Sequence, residues 1–95
     1  MIRDIQFDEA FYVDYTDAPE QVQRAMDKLV RMMADSGNFP NSMAVHKAHK
    51  LDLWIGYVTR VRQHWRVLFT LNEDHVCFNR LMDHQTTNDY LRAIS

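Results

Sequence analysis

The chain has 95 residues, 46% of them hydrophobic, with only two glycines, two prolines and one cysteine, and its formal net charge is −2. This composition excludes intrinsic disorder and a disulfide framework, and it predicts one domain built around a single core. Because no run approaches the roughly 20 apolar residues of a membrane-spanning helix, and because the acidic N-terminal stretch MIRDIQFDEAF has no long apolar segment of a secretory signal, we expect a cytoplasmic protein.

The first stretch of the chain, IQFDEAFYVDY, combines two apolar periods. Ile5 and Phe7 alternate as in a short strand. The aromatic residues that follow have the spacing of one helical face: Phe7, Phe11, Tyr12 and Tyr15. The sequence therefore predicts a strand over residues 3–7 and a short helix over residues 9–16.

The stretch DAPEQVQRAMDKLVRMMADSG predicts a long amphipathic helix. Asp17, followed three residues later by Glu20, is typical of a capping box, and Pro19 suits the first turn because no helical partner is lost there. Ser36 and Gly37 end the pattern. The apolar residues have the spacing of a single helical stripe: Val22, Ala25, Met26, Leu29, Val30 and Met33.

After a loop at NFPNS, the period of the sequence changes to two. Four stretches rich in β-branched and aromatic residues predict strands: SMAVHKA, LDLWIGYVTR, HWRVLFTLN and HVCFNRLMD. Residues 72–75 predict a tight hairpin turn, and the tail TTNDYLRAIS predicts a closing helical turn.

The order of these elements predicts an α+β fold. An N-terminal strand and two helices would pack on a twisted antiparallel sheet of about four strands, followed by a short C-terminal helix. Trp65, Val67, Phe69 and Leu71 alternate along one predicted strand, so we expect them to face the helices. No repeat interrupts this order, and residues 1–95 are expected to form one domain.

Charge is distributed unevenly along the chain. Residues 1–36 contain eight acidic and four basic residues, a net charge of −4, whereas residues 37–69 contain five basic residues and one acidic residue, a net charge of +4. Residues 70–95 contain four acidic and two basic residues. A basic segment in an acidic chain predicts a localised anion site rather than a general nucleic-acid-binding surface.

Three stretches share the pattern and spacing of a known family. APEQVQRAMDKLVRMMADSGNFPNSMAVHKAHKLDLWIGYV is similar to a long helix, a loop, a basic strand and a D-L-W strand, and WRVLF is similar to an aromatic–Arg–hydrophobic strand opening. Asp83-His84 is similar to a D-H ending, with His84 eighteen residues after Arg66. Together these stretches resemble the RelE/ParE superfamily, the toxins of bacterial toxin–antitoxin pairs, over about residues 17–90.

The resemblance implies a small toxin that enters the ribosomal A site and cuts the messenger RNA there, with an antitoxin protein as partner and no cofactor. A ParE-like branch of the superfamily instead inhibits DNA gyrase and lacks nuclease residues. This chain departs from the nuclease branch in its net negative charge, in Gln85 after His84, and in Tyr90, which lies further from His84 than is usual. A gyrase-directed toxin and a non-catalytic antitoxin-binding module therefore stay open as alternatives.

Cleavage of RNA by its own 2′-OH requires a group that helps to remove the hydroxyl proton, cations that stabilise the phosphate and an acid that protonates the 5′-oxygen leaving group. The sequence shows no clear general base for the first of these, which favours the non-catalytic alternative. Arg66 is the first candidate for a phosphate clamp because its planar guanidinium fits phosphate oxygens, and Arg60 is the second. His84 suits the general acid, since histidine titrates near working pH. Tyr90 suits stacking on a base or orienting the phosphate.

The residues around these candidates bear on the position of Arg60, on metal binding and on contacts to the RNA backbone. If VRQH closes as an odd-length loop, Arg60 and Arg66 share one face of the sheet, and a two-residue turn separates them. His46 and His49 lie three residues apart, but the local pattern is extended, so no metal site is predicted. The resemblance implies three contacts to the RNA backbone: Lys47, Lys50 and Arg62.

Each leading candidate also has a purely structural interpretation. Arg66 would then pair with Asp83 or Glu73, because a charge beside a buried strand needs a partner or water. His84 would cap the last helix, and Tyr90 would belong to the core. An Arg66 side chain held by a carboxylate, or a His84 ring sealed in the core, would contradict an anion site at these strand ends.

Overall fold

The computed structural model describes residues 1–48, 51–59 and 64–95, and within them a strand is followed by two helices, four more strands and a third helix. This order confirms the predicted α+β class. The elements are β1 (Asp4–Phe7), α1 (Glu9–Asp17), α2 (Glu20–Ser36), a 3₁₀ turn (Asn41–Met43), β2 (His46–Lys47), β3 (Trp54–Tyr57), β4 (Arg66–Asn72), β5 (His75–Met82) and α3 (His84–Ile94).

Helix α2 buries the predicted apolar stripe against the sheet. Val22, Met26, Leu29 and Met33 are buried in one core cluster with residues of β4 and β5. The helix ends at Gly37, which adopts a left-handed φ of 74° that glycine accepts at little cost, and its N–H donates to the Met33 carbonyl at 2.8 Å. The predicted end of this helix is confirmed.

The predicted capping box at the start of α2 is wrong. Asp17 is the last residue of α1, and Pro19 takes the N-cap position of α2 without a side-chain hydrogen bond. Proline disfavours helical backbone at the residue before it, and Ala18 is accordingly extended, with φ −75° and ψ 151°. The chain therefore leaves one helix and enters the next within two residues, and Asp17 belongs to the first.

The sheet has the strand order β1-β5-β4-β3-β2. Neighbouring strands from β2 to β5 are antiparallel, but β1 runs parallel to β5, with Asp4 opposite His75. The expected antiparallel sheet of about four strands is therefore corrected to a mixed sheet of five in the described part of the chain. The long connection between β1 and β5, which contains two helices and three strands within the described residues, permits this parallel pairing. The predicted hairpin turn is confirmed, since Asn72 stands opposite His75.

One face of the sheet packs on α1 and α2 and holds the main core. Val67 and Phe69 of β4 are buried in it, and Trp65 and Leu71 pack against it. This arrangement confirms the predicted orientation of the strand. Helix α1 contributes Phe11, which is buried in the same cluster.

Helix α3 covers the opposite face of the sheet. Leu68 and Met82 are buried there in a smaller cluster, against which Tyr90 and Leu91 pack. Because these two residues have apolar surface to bury, the tail forms a helix of 11 residues, so the predicted short C-terminal helix is confirmed. No helix in the described ranges is long and apolar enough to cross a membrane.

Candidate anion site at the start of β4

The guanidinium of Arg66 lies on the face of the sheet that α3 covers. Arg66 is the first residue of β4 and stands opposite Tyr57 of β3 and Met82 of β5. Because side chains alternate along a strand, Arg66 shares its face with Leu68 and is directed away from α1 and α2. Its side chain is half-buried, and none of the ion pairs formed among described residues involves it.

His84 is the first residue of α3 and meets Arg66 at the surface. The cap of this helix is Asp83, whose carboxylate accepts a hydrogen bond from the Thr86 N–H at 2.7 Å, so the alternative capping role of His84 belongs to Asp83. The His84 ring is exposed, and its Nδ1 contacts Nη1 of Arg66. A guanidinium only donates, so in this contact Nδ1 of His84 is the acceptor, while Nε2 of His84 lies 3.3 Å from the side-chain amide nitrogen of Asn88.

The fold explains why residues eighteen positions apart come together. Strands β4 and β5 form a hairpin, so the start of one lies beside the end of the other, where Arg66 stands opposite Met82. Helix α3 begins two residues after that point. The structure therefore brings together the two leading candidates of the sequence, Arg66 and His84, and neither shows its structural alternative.

Tyr57 is the residue of this site that sequence reasoning missed. Nη2 of Arg66 donates to the Tyr57 hydroxyl oxygen at 3.3 Å, and Cζ of Arg66 lies 4.8 Å from the centre of the Tyr57 ring. The His46 ring lies 6.2 Å from the Tyr57 ring. The pairing of Tyr57 with Arg66 depends on the strand register, which the sequence leaves open at VRQH.

The arginine at position 80 shows how a structural arginine is held in the same molecule. Its Nε and Nη2 donate to the two carboxylate oxygens of Asp14 at 2.7 and 3.1 Å, and its Cζ lies 5.1 Å from the Tyr90 ring. The hydrogen bond to Asp14 is the main reason why the pKa of Arg80 is raised further. Tyr90 thus packs in the smaller core cluster beside Arg80, and no contact links it to Arg66 or His84 within the described ranges. Its role toward RNA stays a prediction.

The other predicted contacts are not gathered at this site. Lys47 stands opposite Trp54, and its ammonium lies 6.0 Å from the Trp54 ring. Trp54 packs against the main core, so Lys47 lies on the face opposite to Arg66. Three predicted residues lie outside the residues that the structure describes, as does the loop that decides whether Arg60 shares a face with Arg66: Lys50, Arg60 and Arg62.

The single cysteine, Cys77, lies toward the other end of β5 from the site, opposite Thr70 of β4. Burial raises the pKa of the Cys77 thiol, and the Asp8 carboxylate, to which Sγ donates at 3.2 Å, raises it further. A thiol held in this way stays protonated at neutral pH. Residues 1–48, 51–59 and 64–95 contain no cluster of three side chains of the kinds that hold a metal ion.

No protein-family model and no curated protein matches the chain. Solved structures do match it. A chain of the RelB–RelE antitoxin–toxin complex from Methanococcus jannaschii superimposes with a TM-score of 0.75 at 16% identity, covering 90% of this chain and 96% of that chain. YafQ from E. coli superimposes with a TM-score of 0.69 at 16% identity, covering 90% of this chain and 97% of its own.

The protein has the fold of RelE-like toxins. A chain of the RelE–RelB complex from Pyrococcus horikoshii agrees with this, with a TM-score of 0.66 at 12% identity over 87% of this chain and 96% of that one. The match covers the helices and the sheet together, so the α+β arrangement is shared as a whole rather than in one motif.

On this RelE-like fold, Arg66 and His84 form a surface that suits an oxyanion. Arg66 offers hydrogen-bond donors with a charge that no described carboxylate neutralises, and His84 offers an exposed imidazole whose nitrogens form hydrogen bonds. The buried Nε of Arg66 has no hydrogen-bond partner within the described ranges. A phosphate that contacts both side chains would receive hydrogen bonds from each.

Proposed function

We propose that the protein is the toxin of a toxin–antitoxin pair, and that it acts in the cytoplasm as a metal-independent endoribonuclease on messenger RNA bound to the ribosome. The observation that carries this proposal is the contact between Arg66 and the exposed ring of His84, on a fold shared with RelE and YafQ. A phosphate ligand and a proton donor are two of the three groups that assist cleavage by a 2′-OH, the third being a base for the hydroxyl proton.

The reaction assigns one step to each side chain. The 2′-oxygen attacks the adjacent phosphorus, the bond from phosphorus to the 5′-oxygen breaks, and the products are a 2′,3′-cyclic phosphate and a free 5′-hydroxyl. Arg66 donates to the non-bridging oxygens, on which negative charge increases. His84, protonated in the complex with RNA, transfers its proton to the 5′-oxygen, and the proton of the 2′-OH passes to solvent.

Binding of RNA exchanges partners at the site. In the free protein Nη1 of Arg66 is directed at Nδ1 of His84. When RNA binds, a phosphate takes the place of His84 beside Arg66 and the place of Arg66 beside His84, because phosphate oxygens accept hydrogen bonds from both side chains. Arg60 as a second phosphate contact, with Lys50 and Arg62 along the RNA backbone, belongs to the same proposal.

An antitoxin is the expected partner protein. The solved structures with this fold include a RelB–RelE complex and an E. coli DinJ–YafQ toxin–antitoxin complex. A short neighbouring reading frame that neutralises this protein on co-expression would support either kind of toxin. Loss of neutralisation on deletion of that frame is the corresponding control.

The proposal is tested by inducing the wild type and two variants in a bacterial host and mapping messenger ends by primer extension. Arg66→Ala removes the phosphate ligand and His84→Ala removes the acid, so each is expected to reduce cleavage by roughly a hundredfold or more. Arg24→Ala is the matched control, because Arg24 is exposed on α2 and pairs only with Glu20 among described residues.

The outcomes separate the three classes of function. New ends inside translated frames that disappear in both variants but persist in the control support the nuclease. Growth arrest without new messenger ends favours a gyrase-directed toxin instead. Folded wild-type protein that causes neither arrest nor cleavage indicates a binding module without chemistry.

A further inference from the structure

We propose that Tyr57 is a positioning residue, which holds the Arg66 guanidinium in the orientation in which it binds phosphate; this inference rests on the proposed function of the site. Tyr57 contacts Arg66 through both of its parts. The hydroxyl oxygen accepts from Nη2 at 3.3 Å and fixes one edge of the guanidinium, while the ring, 4.8 Å from Cζ, supports its plane.

The comparison with Arg80 shows what Tyr57 contributes. Arg80 also lies against a tyrosine ring, but Asp14 takes two of its hydrogen bonds and neutralises its charge. A carboxylate beside Arg66 would orient it equally well and would then compete with a phosphate for the same donors. A phenol hydroxyl accepts a hydrogen bond without the formal charge of a carboxylate, so Tyr57 orients the guanidinium and leaves its charge for the ligand.

The three nitrogens of the Arg66 guanidinium have different surroundings. Nη2 is held by Tyr57, Nη1 contacts His84, and the buried Nε has no hydrogen-bond partner in the described part of the chain. Arriving phosphate displaces His84 from Nη1, and Tyr57 keeps Nη2 in place during that exchange. The side of the guanidinium that is offered to the phosphate is therefore set before RNA binds.

The backbone and a neighbouring ring keep Tyr57 itself in place. Tyr57 lies in β3, which is paired on one side with β4 and on the other with β2. The ring of His46 lies 6.2 Å from the ring of Tyr57, and Nδ1 of His46 lies 3.3 Å from the Ala44 carbonyl oxygen. A residue on a paired strand is a more rigid support than a residue on a loop.

The test compares Tyr57→Phe and Tyr57→Leu with the wild type by NMR of the arginine Nε–H signals, the Arg66 signal being identified by its loss in Arg66→Lys. The probe is a trinucleotide of RNA with 2′-O-methyl riboses, which binds without being cleaved. Tyr57→Phe keeps the ring and should weaken binding about threefold, and Tyr57→Leu should weaken it about tenfold. Tyr15→Phe is the matched control. It removes a hydroxyl of α1 that donates to Asp27 of α2 at 2.8 Å.

The Arg66 signal of the free protein supplies a readout that a loss of stability does not reproduce. Removal of the Tyr57 ring should move this signal in Tyr57→Leu and much less in Tyr57→Phe, while thermal unfolding shows both variants folded. Equal binding by the wild type and Tyr57→Leu would overturn the inference, as would a wild-type Arg66 signal that the probe leaves unmoved. Weakened binding in Tyr57→Leu, with no messenger cleavage by the wild type, would uphold the positioning role and reject the nuclease.

Discussion

Arg66 and Arg80 are two arginines with similar neighbours and different environments. Each lies against a tyrosine ring, but Arg80 is bound by the Asp14 carboxylate, whereas Arg66 meets the ring of His84. Asp14 also accepts the N–H of Leu81 at 2.9 Å, so one carboxylate ties α1 to β5 through three hydrogen bonds. The arrangement around Arg80 stabilises the fold, whereas the arrangement around Arg66 leaves a cation available to a ligand.

Asp14→Ala should lower the free energy of unfolding by about 3 kcal/mol, because it leaves the Arg80 charge and the Leu81 N–H without their partner in a partly buried place. The Asp14 side chain is only 13% exposed, so water replaces little of this loss. Urea denaturation measures the change, with Asp35→Ala on the exposed side of α2 as the control.

A double variant tests how much of the stability lost in Asp14→Ala comes from the unpaired charge of Arg80. Asp14→Ala combined with Arg80→Met should be less destabilised than the two single changes added together, because no unpaired charge is left. A loss below about 1 kcal/mol in Asp14→Ala would contradict this account, since it would give the pair the strength of a surface ion pair.

At the scale of elements, β1 is held to the edge of the sheet by a titratable contact. Nδ1 of His75 lies 3.0 Å from the Asp4 carboxylate, at the position where the two strands pair. This hydrogen bond is the main reason why the pKa of His75 is raised, with the charges of Asp74 and Glu73 adding to it and partial desolvation opposing it.

Because the pKa of His75 is raised, the stability that the His75–Asp4 contact contributes depends on pH. A histidine whose pKa is higher in the folded state contributes stability that is fully present below its unfolded pKa of about 6.5 and is lost as pH rises through the folded value. Asp4→Asn should therefore unfold at lower urea than the wild type at pH 6, and the difference should shrink by pH 8.5. The control is Asp35→Asn, and a difference that is constant with pH would reject the contact.

The elements that the sequence predicted best are those whose signal is local. The apolar stripe of α2 and the left-handed Gly37 that ends it depend on residues within one or two turns, and both were predicted. The capping box predicted at Asp17 was wrong because a capping pattern does not reveal that a preceding helix already includes that residue. The parallel partner of β1 was not predictable, since nothing within residues 4–7 indicates a strand that begins at residue 75.

The candidate site was predictable only in part, for the same reason. Arg66 and His84 were selected by their chemistry and by a family resemblance, and the hairpin brings them together. Tyr57 needed the β3–β4 register, and the exclusion of Lys47 from the site needed the alternation of faces along β2 and β3.

At the scale of the whole molecule, the two basic residues of the middle segment that the structure describes, Lys47 and Arg66, lie on different faces of the sheet. Lys47 extends over Trp54 on the side of the main core, and Arg66 lies on the side of α3. Lys47 also lies 4.0 Å from Asp52, in an ion pair on the exposed surface. In the described part of the chain, the positive charge of residues 37–69 is thus divided between the two faces of the sheet.

This division predicts how salt affects RNA binding. When a protein makes one fewer ion pair with the phosphates of a single strand, the slope of log affinity against log salt becomes shallower by about 0.7. Arg66→Ala should show that change, whereas Lys47→Ala should leave the slope as in the wild type. Fluorescence anisotropy with a single-stranded oligoribonucleotide between 50 and 200 mM KCl, about the range over which such slopes are resolved, measures both. Equal changes in the two variants would mean that both cations bind one RNA strand.

The parallel pairing of β1 with β5 also governs when the sheet can be completed during synthesis of the chain. Asp4 and His75, which face each other across these strands, are separated by 71 residues, so the first strand leaves the ribosome long before its partner exists. His84, in the helix after β5, is made later still. A nascent chain therefore carries Arg66 without the residues that complete its site, and any activity of that site begins only once the last helix has been released and has folded onto the sheet.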